Sequence, residues 1–389
     1  MSTMSRPLLG PAEIVVDVAA IRDNARLLAA TAGVPLIAVV KADGYGHGMV
    51  ETARAALEGG AAWLATATIE EAVALRAAGV VDVPLLCWIT SPTSDHAAAV
   101  DADIDVTAYS VEELDEIAAA IGERAVPARI QLKVDTGLSR GGASRADWAA
   151  LFARARVGEE QGTWRITGLW SHFACADDPS HPANDRQEAA FRDALDLAAG
   201  HGLRPEIRHL ANSAAAILRP SARFDAVRCG IAMYGLDPAP GQATDIGLVP
   251  AMTVRAPLVM VKDLAPGDAV SYGHHWTAQQ ATTVGLVPVG YAEGIPRNAS
   301  RPGAPEAAAR VGIAGALRPI RGTVCMDQVV VDLGGDRPPV GTEVVVFGPP
   351  SAGGPTAQDW AETCGTINYE IVTRIGGRMS RRYVDGEPR

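Results

Sequence analysis

Leu36-Ile37-Ala38-Val39-Val40-Lys41-Ala42-Asp43-Gly44-Tyr45-Gly46-His47-Gly48 joins five apolar residues to a lysine and then to three glycines in five positions. The apolar run has the length and composition of a buried parallel strand, and Val50–Leu57 after the loop reads as a helix. This βα unit recurs outward from it. From about residue 34 to residue 230, eight such runs alternate with Ala-, Leu-, Glu- and Arg-rich stretches such as Glu70–Ala77. They are Leu36–Lys41, Trp63–Ala67, Pro84–Trp88, Ile104–Thr107, Ile130–Asp135, Ile166–His172, Ile207–Ala211 and Ala226–Arg228. Eight repeats predict an α/β fold built on a (β/α)8 TIM-type barrel, whose chemistry gathers at the C-terminal ends of the strands. Those ends carry Lys41, Lys133 with Asp135, His172, Asn212 with Ser213, and Arg228.

Beyond Tyr234-Gly235-Leu236-Asp237-Pro238 the texture changes to alternating Val, Thr and Ile segments. Met252–Val261, Thr282–Val289, Arg310–Ile313, Gly322–Leu333 and Glu343–Phe347 read as strands, and Thr356 as the N-cap of a short helix over Ala357–Thr363. The expected division is a barrel over residues 12–240 and a mainly β C-terminal domain over 241–389.

The 389 residues are long enough for two cores. A formal net charge of -11 argues against a general nucleic-acid or anionic-membrane binder. No run approaches the roughly 18 apolar residues of a membrane span, and Met1–Pro7 lacks the apolar core of a signal peptide, so a cytoplasmic protein is expected. Five cysteines without CxxC spacing suggest neither a disulfide framework nor a thiolate zinc site, and no metal is expected. Of 34 basic residues only Lys41, Lys133 and Lys262 are lysines. Arginine replaces lysine as a surface cation but cannot form a Schiff base, so the surviving lysines are candidates for chemistry. A desolvated lysine has the lowered pKa that an amine nucleophile needs.

The chain resembles the bacterial, pyridoxal-phosphate-dependent alanine racemases of the barrel type. The resemblance rests on Val40–Gly48, Leu132-Lys133-Val134-Asp135-Thr136-Gly137-Leu138, Ser171-His172-Phe173, Ala211-Asn212-Ser213-Ala214 and Arg228–Gly235. It continues through Val270-Ser271-Tyr272-Gly273, Cys325-Met326-Asp327-Gln328 and Ile367-Asn368-Tyr369-Glu370, and so covers essentially the whole chain. It implies a homodimer with shared active sites that interconverts L-alanine and D-alanine, supplying D-alanine for peptidoglycan.

It also implies roles. Racemisation needs an acid/base on each face of the substrate: Lys41, the Schiff-base lysine, on the D-face, and Tyr272, from the partner's β domain, on the L-face. Tyrosine is normally too weak an acid for this work, and His172 is expected to favour its phenolate. Arg228 would face the cofactor's pyridine nitrogen and keep it unprotonated. Tyr45, Ser213, Tyr369 and the backbone N–H groups of Gly230 and Ile231 would hold the phosphate. Arg140 and the partner's Met326 N–H would take the substrate carboxylate, with Lys133 carbamylated to hold the arginine. Tyr291 and Tyr369 would narrow the entrance, with Asp177 and Arg297 further out. Two positions depart from the commonest pattern: Glu293 stands for an aspartate and Thr323 for an arginine, which touches entrance charge and the preference for alanine over serine. A broad-specificity or serine racemase is the alternative. A decarboxylase lacks support from Cys325-Met326-Asp327 with Tyr272, and a cofactor carrier normally ends after the barrel.

Overall fold

The computed structural model describes residues 10–122, 126–242, 244–301 and 303–386. It divides into two compact units, one spanning Ile21–Leu248 and the other holding residues up to Ala20 and from Val249 onward.

In the first unit all eight expected runs are strands: Leu36–Val39, Trp63–Thr68, Leu85–Ile89, Asp105–Ala108, Ala128–Lys133, Trp164–Trp170, Ile207–His209 and Val227–Cys229. Neighbours pair in parallel and in chain order, with the eighth strand beside the first. Backbone bonds from Arg228 N to Ala211 O and from Asp225 N to Arg208 O, both 3.0 Å, join the eighth strand to the seventh and close the barrel. Strands buried on both sides read as apolar runs, which is why their sequence is so plain. The helices begin where side chains supply caps. Thr68 and Glu71 form a capping box before Ile69–Ala77, and Ser110 caps Val111–Ile121.

The second unit is mainly β, with a nine-stranded mixed sheet. Here the sequence reading needs three corrections. Glu13–Asp17, inside the stretch expected for the barrel, pairs with Met252–Pro257 and Ser380–Val384 instead. Its buried Glu13 carboxylate accepts Arg255 Nε at 2.6 Å, an ion pair made within this sheet. The run expected as Met252–Val261 is two strands, Met252–Pro257 and Met260–Leu264. Gly322–Leu333 is not one strand either: Ala316–Arg321 and Val329–Gly334 are joined by an irregular connection. Gly322 starts it at φ +70, where an added Cβ would lie 2.5 Å from Val270 O. Thr356 caps Ala357–Cys364 through a reciprocal box with Asp359. Among the described residues no helix is long and apolar enough to cross a membrane.

Candidate active site

The first strand ends at Val39, and Lys41 opens a turn in which Ala42, Asp43, Gly44 and Tyr45 are all left-handed, with φ of 54, 52, 61 and 51. For the three residues with a Cβ this conformation costs about 1–2 kcal/mol each. The surroundings hold it. Gly44 N donates to Val40 O at 2.9 Å, Met49 N to Asp43 Oδ1 at 2.9 Å, and Ala42 N to Glu71 Oε1 at 2.8 Å. The other Glu71 oxygen accepts Ala67 N at 2.8 Å, tying the Lys41 turn to the neighbouring strand end. Strain maintained in this way concentrates at functional sites.

Lys41 Nζ lies 5.5 Å from the Trp88 ring centroid and 5.9 Å from that of Tyr45. Burial lowers its pKa, the Arg140 cation lowers it further, and Glu71 opposes both. Lys133 Nζ sits 4.5 Å over the Trp170 ring and forms no ion pair among the described residues. Burial, then Arg228 and Arg140, push it down to about 8. Asp135 is occupied elsewhere: its Oδ1 accepts the N–H groups of Gly137, Leu138 and Ser139 at 2.8, 3.0 and 3.2 Å. The carboxylate therefore shapes the loop that leads to the exposed Arg140.

Arg228 is the most enclosed of the cations, 4% exposed. Its Nη1 donates to His209 Nδ1 at 2.7 Å and His209 O at 3.2 Å. Its Nη2 donates to Ser171 O at 2.8 Å, His172 Nδ1 at 3.0 Å and Leu210 O at 3.2 Å. None of these bonds uses the Nε–H. Burial brings Arg228 down to about 9, which leaves it cationic at neutral pH. Burial and then the Arg228 charge hold both His172 and His209 far below the usual imidazole range, so both are neutral.

A second convergence lies at the loops after the seventh and eighth strands. Gly230 N donates to Ser213 Oγ at 3.0 Å, and a Cβ on Gly230 would lie 2.3 Å from the Tyr45 hydroxyl. Only glycine fits there, and Ile231 follows it into the short turn Ile231–Tyr234. Asp177 is exposed.

In the β unit Tyr272 is 74% and Met326 52% exposed, and Tyr291 and Arg297 are also exposed. Tyr369 is half-buried on Asn368–Arg374. The segments bearing Tyr272 and Met326 are stitched together. Ser271, at φ 64 and ψ −175, donates its hydroxyl to Thr323 O at 2.8 Å and lies 3.2 Å from Cys325 Sγ. Thr323 Oγ1 in turn donates to Tyr272 O at 2.7 Å. Thr323, expected to alter the entrance, is buried with its hydroxyl engaged on the backbone. Glu293, the other departure, is also buried, accepting Gly290 N at 3.0 Å and Arg378 Nε at 2.6 Å.

Within the barrel unit, then, Lys41, Lys133, Arg140, His172 and Arg228 interact electrostatically at one end, and Tyr45, Ser213 and Gly230 meet. Sequence reasoning missed Trp170, which underlies both Lys133 and Arg228 and stacks on His209 at 5.6 Å. It also missed Glu71 and His209. The available signal was position: Trp170 ends the sixth barrel strand, two residues before His172.

A closed parallel barrel with its titratable groups at the strand ends, followed by a β unit, defines the class as a two-unit barrel enzyme. The chain belongs to the alanine racemase family. Residues 16–238 match the family's N-terminal domain and residues 251–383 its C-terminal domain. It is similar to alanine racemase of Streptomyces coelicolor, 52% identical over 377 residues and 95% of each chain. It is 50% identical to that of Thermobifida fusca over 96% of this chain and 98% of the relative. The crystal structure of alanine racemase from D-cycloserine-producing Streptomyces lavendulae superposes with a TM-score of 0.93 at 48% identity, over 98% of this chain and 99% of that one.

Proposed function

We propose that this chain interconverts L-alanine and D-alanine with pyridoxal 5'-phosphate, using Lys41 and Tyr272 on opposite faces of the substrate. The observation that carries the reading is Lys41 itself, a lysine of lowered basicity fixed by a strained turn at a barrel mouth shared with Arg228. The residues present suit the cofactor. Tyr45, Ser213 and the Gly230 and Ile231 amides suit a phosphate, since hydroxyls and backbone N–H groups satisfy its oxygens. When bound, pyridoxal phosphate supplies a conjugated ring that delocalises the charge left by a departing α-proton.

The chain's own groups do the rest. Arg228, whose Nε–H is used by none of its five bonds, would face the ring nitrogen, and a fixed cation there would keep that nitrogen unprotonated. Lys41 exchanges the proton on the D-face. Tyr272, from the second subunit of a homodimer, exchanges it on the L-face. Because His172 Nδ1 accepts from Arg228, the His172 proton sits on Nε2, a donor suited to stabilising the Tyr272 phenolate. Arg140 and the Met326 N–H hold the substrate carboxylate. Lys133, pushed down to about 8, has the partly neutral amine needed to take up carbon dioxide, and the resulting carbamate orients Arg140. Tyr291, Tyr369, Asp177 and Arg297 form the entrance. The setting is cytoplasmic, and the product D-alanine serves peptidoglycan.

Chiral chromatography of purified protein incubated with L-alanine or L-serine at equal concentration, with and without added pyridoxal phosphate, tests the proposal. D-alanine should form faster than D-serine and need the cofactor. Faster serine turnover overturns the substrate assignment, and bound cofactor without turnover overturns the enzymatic one.

A further inference from the structure

We propose that Asp105, acting through Gln131, fixes the tautomer of His209 and thereby positions Arg228. The functional part of this inference rests on the reading that Arg228 faces the cofactor.

The four residues form one buried chain across the barrel interior. Asp105 opens the fourth strand, Gln131 lies in the fifth, His209 ends the seventh and Arg228 lies in the eighth. Asp105 Oδ2 accepts Gln131 Nε2 at 2.9 Å and Thr167 Oγ1 at 2.6 Å, while Oδ1 accepts Arg129 Nε. Gln131 Oε1 meets His209 Nε2 at 2.7 Å, and His209 Nδ1 meets Arg228 Nη1 at 2.7 Å.

Donor and acceptor requirements run in one direction along this chain. An ionised carboxylate only accepts, so Gln131 must turn its NH2 toward Asp105 and its oxygen toward His209. That oxygen demands a proton on His209 Nε2. A neutral imidazole carries one proton, so Nδ1 keeps its lone pair for Arg228, which is cationic at neutral pH and only donates. The opposite tautomer would set two N–H groups against each other at 2.7 Å and force the guanidinium away.

The backbone makes room for this arrangement. Between the fifth and sixth strands the pairing passes from Ile130 with Ile166 to Gln131 with Gly168, leaving Thr167 as an extra residue whose hydroxyl reaches Asp105. A Cβ at Gly168 would lie 2.6 Å from Gln131 Oε1, so a glycine is needed opposite the amide. Trp170 stacks on His209, 11° from parallel, and fixes the plane of the ring. Asp105 and Gln131 are therefore positioning residues, reaching the site only through His209 and Arg228.

Asp105→Asn tests the relay with almost no change of shape. Arg129 still requires an oxygen at the Oδ1 position, so the new NH2 takes the Oδ2 position and faces Gln131. Gln131 then turns over and donates to His209 Nε2, moving the histidine proton to Nδ1. In 15N-histidine-labelled holoenzyme the His209 Nδ1 signal should be of the unprotonated type in the unaltered chain and of the protonated type in Asp105→Asn. The latter should lose about tenfold or more in kcat with little change in KM, because binding groups are untouched. Thr167→Val, which removes a bond to Asp105 without turning Gln131, should change neither signal nor kcat.

A protonated Nδ1 in the unaltered protein overturns the relay, a result that needs no variant to fold. An unmoved tautomer in Asp105→Asn, or a moved one in Thr167→Val, does the same, and a moved tautomer with unchanged kcat overturns the link to Arg228. Arg228→Lys separates the two levels. Unchanged turnover there defeats the reading of Arg228, whereas lost turnover there with an unmoved His209 in Asp105→Asn defeats the relay.

Discussion

Arg228 in the barrel unit is 4% exposed and holds five hydrogen bonds through two nitrogens, whereas Tyr272 in the β unit is 74% exposed and is anchored through its backbone carbonyl. One half of the proposed site is finished within its own unit, and the other presents its groups outward. Tyrosine is in general too weak an acid to serve unaided as a base at neutral pH. On the proposed reading, the β half gains its chemistry when another surface brings a donor such as His172 to the phenol, which a second copy of the chain would do.

The largest expected effect tests that division. Lys41→Ala and Tyr272→Phe homodimers should each be nearly inactive, but a mixture unfolded and refolded together should recover about a quarter of the unaltered rate. Half of the dimers formed are then mixed, and one of the two sites in each is intact. Recovery measured against each variant refolded alone checks this. No recovery means that Lys41 and Tyr272 serve the same site from one chain, which breaks the comparison.

Within a site the two faces should separate next. Tyr272→Phe should slow exchange of the α-proton of L-alanine with solvent deuterium by about 10²–10⁴-fold, the usual contribution of a positioned acid/base. Exchange from D-alanine in single-turnover experiments should change far less. Equal losses from both enantiomers would remove Tyr272 from its assigned face.

The two halves also differed in how much the sequence disclosed. Parallel strands buried on both sides announce themselves as apolar runs, so all eight were legible, and Lys41 stood out because lysine is so rare here. The β unit offered weaker cues. Glu13–Asp17 has no helix or turn that marks it for a sheet with strands more than two hundred residues away, and its partner Arg255 becomes visible only once the chain is folded. In Gly322–Leu333 the β-branched composition concealed a break that depends on how close Gly322 comes to Val270. In the barrel interior, Gln131 and His209 went unread, because a tautomer relay is a property of donors and acceptors meeting across strands. For Gln131 the available hint was its place two residues before Lys133, on the same strand face.

Acid should distinguish the units thermodynamically. His172 and His209 have folded-state pKa values well below 6.5, so in the fold they are neutral while the unfolded chain takes up protons as pH falls below about 6.5. Their contribution is present above that pH and is lost below it, by up to about 1.4 kcal/mol per pH unit for each histidine. Hydrogen exchange followed from about pH 7.5 to about pH 5.5, after correction for intrinsic rates, should show protection falling in barrel peptides more than in β-unit peptides. An equal fall in both would assign the acid sensitivity to groups outside this cluster.

The smallest effect concerns the clamp on Tyr272. Ser271 sits at a positive φ with ψ near 180, a region nearly confined to glycine, and such a residue persists only where its surroundings over-determine it. Thr323 supplies that determination twice, through its carbonyl to the Ser271 hydroxyl and through its own hydroxyl to the Tyr272 carbonyl. Thr323→Val keeps the shape and the carbonyl but removes the second bond, worth about 1 kcal/mol. In single turnovers, exchange of the α-proton with solvent deuterium should slow a few-fold from L-alanine and less from D-alanine, because only the tyrosine face is loosened. Thr323→Ser should restore it. Equal losses of exchange from both enantiomers, or no rescue by serine, would reduce Thr323 to a packing residue.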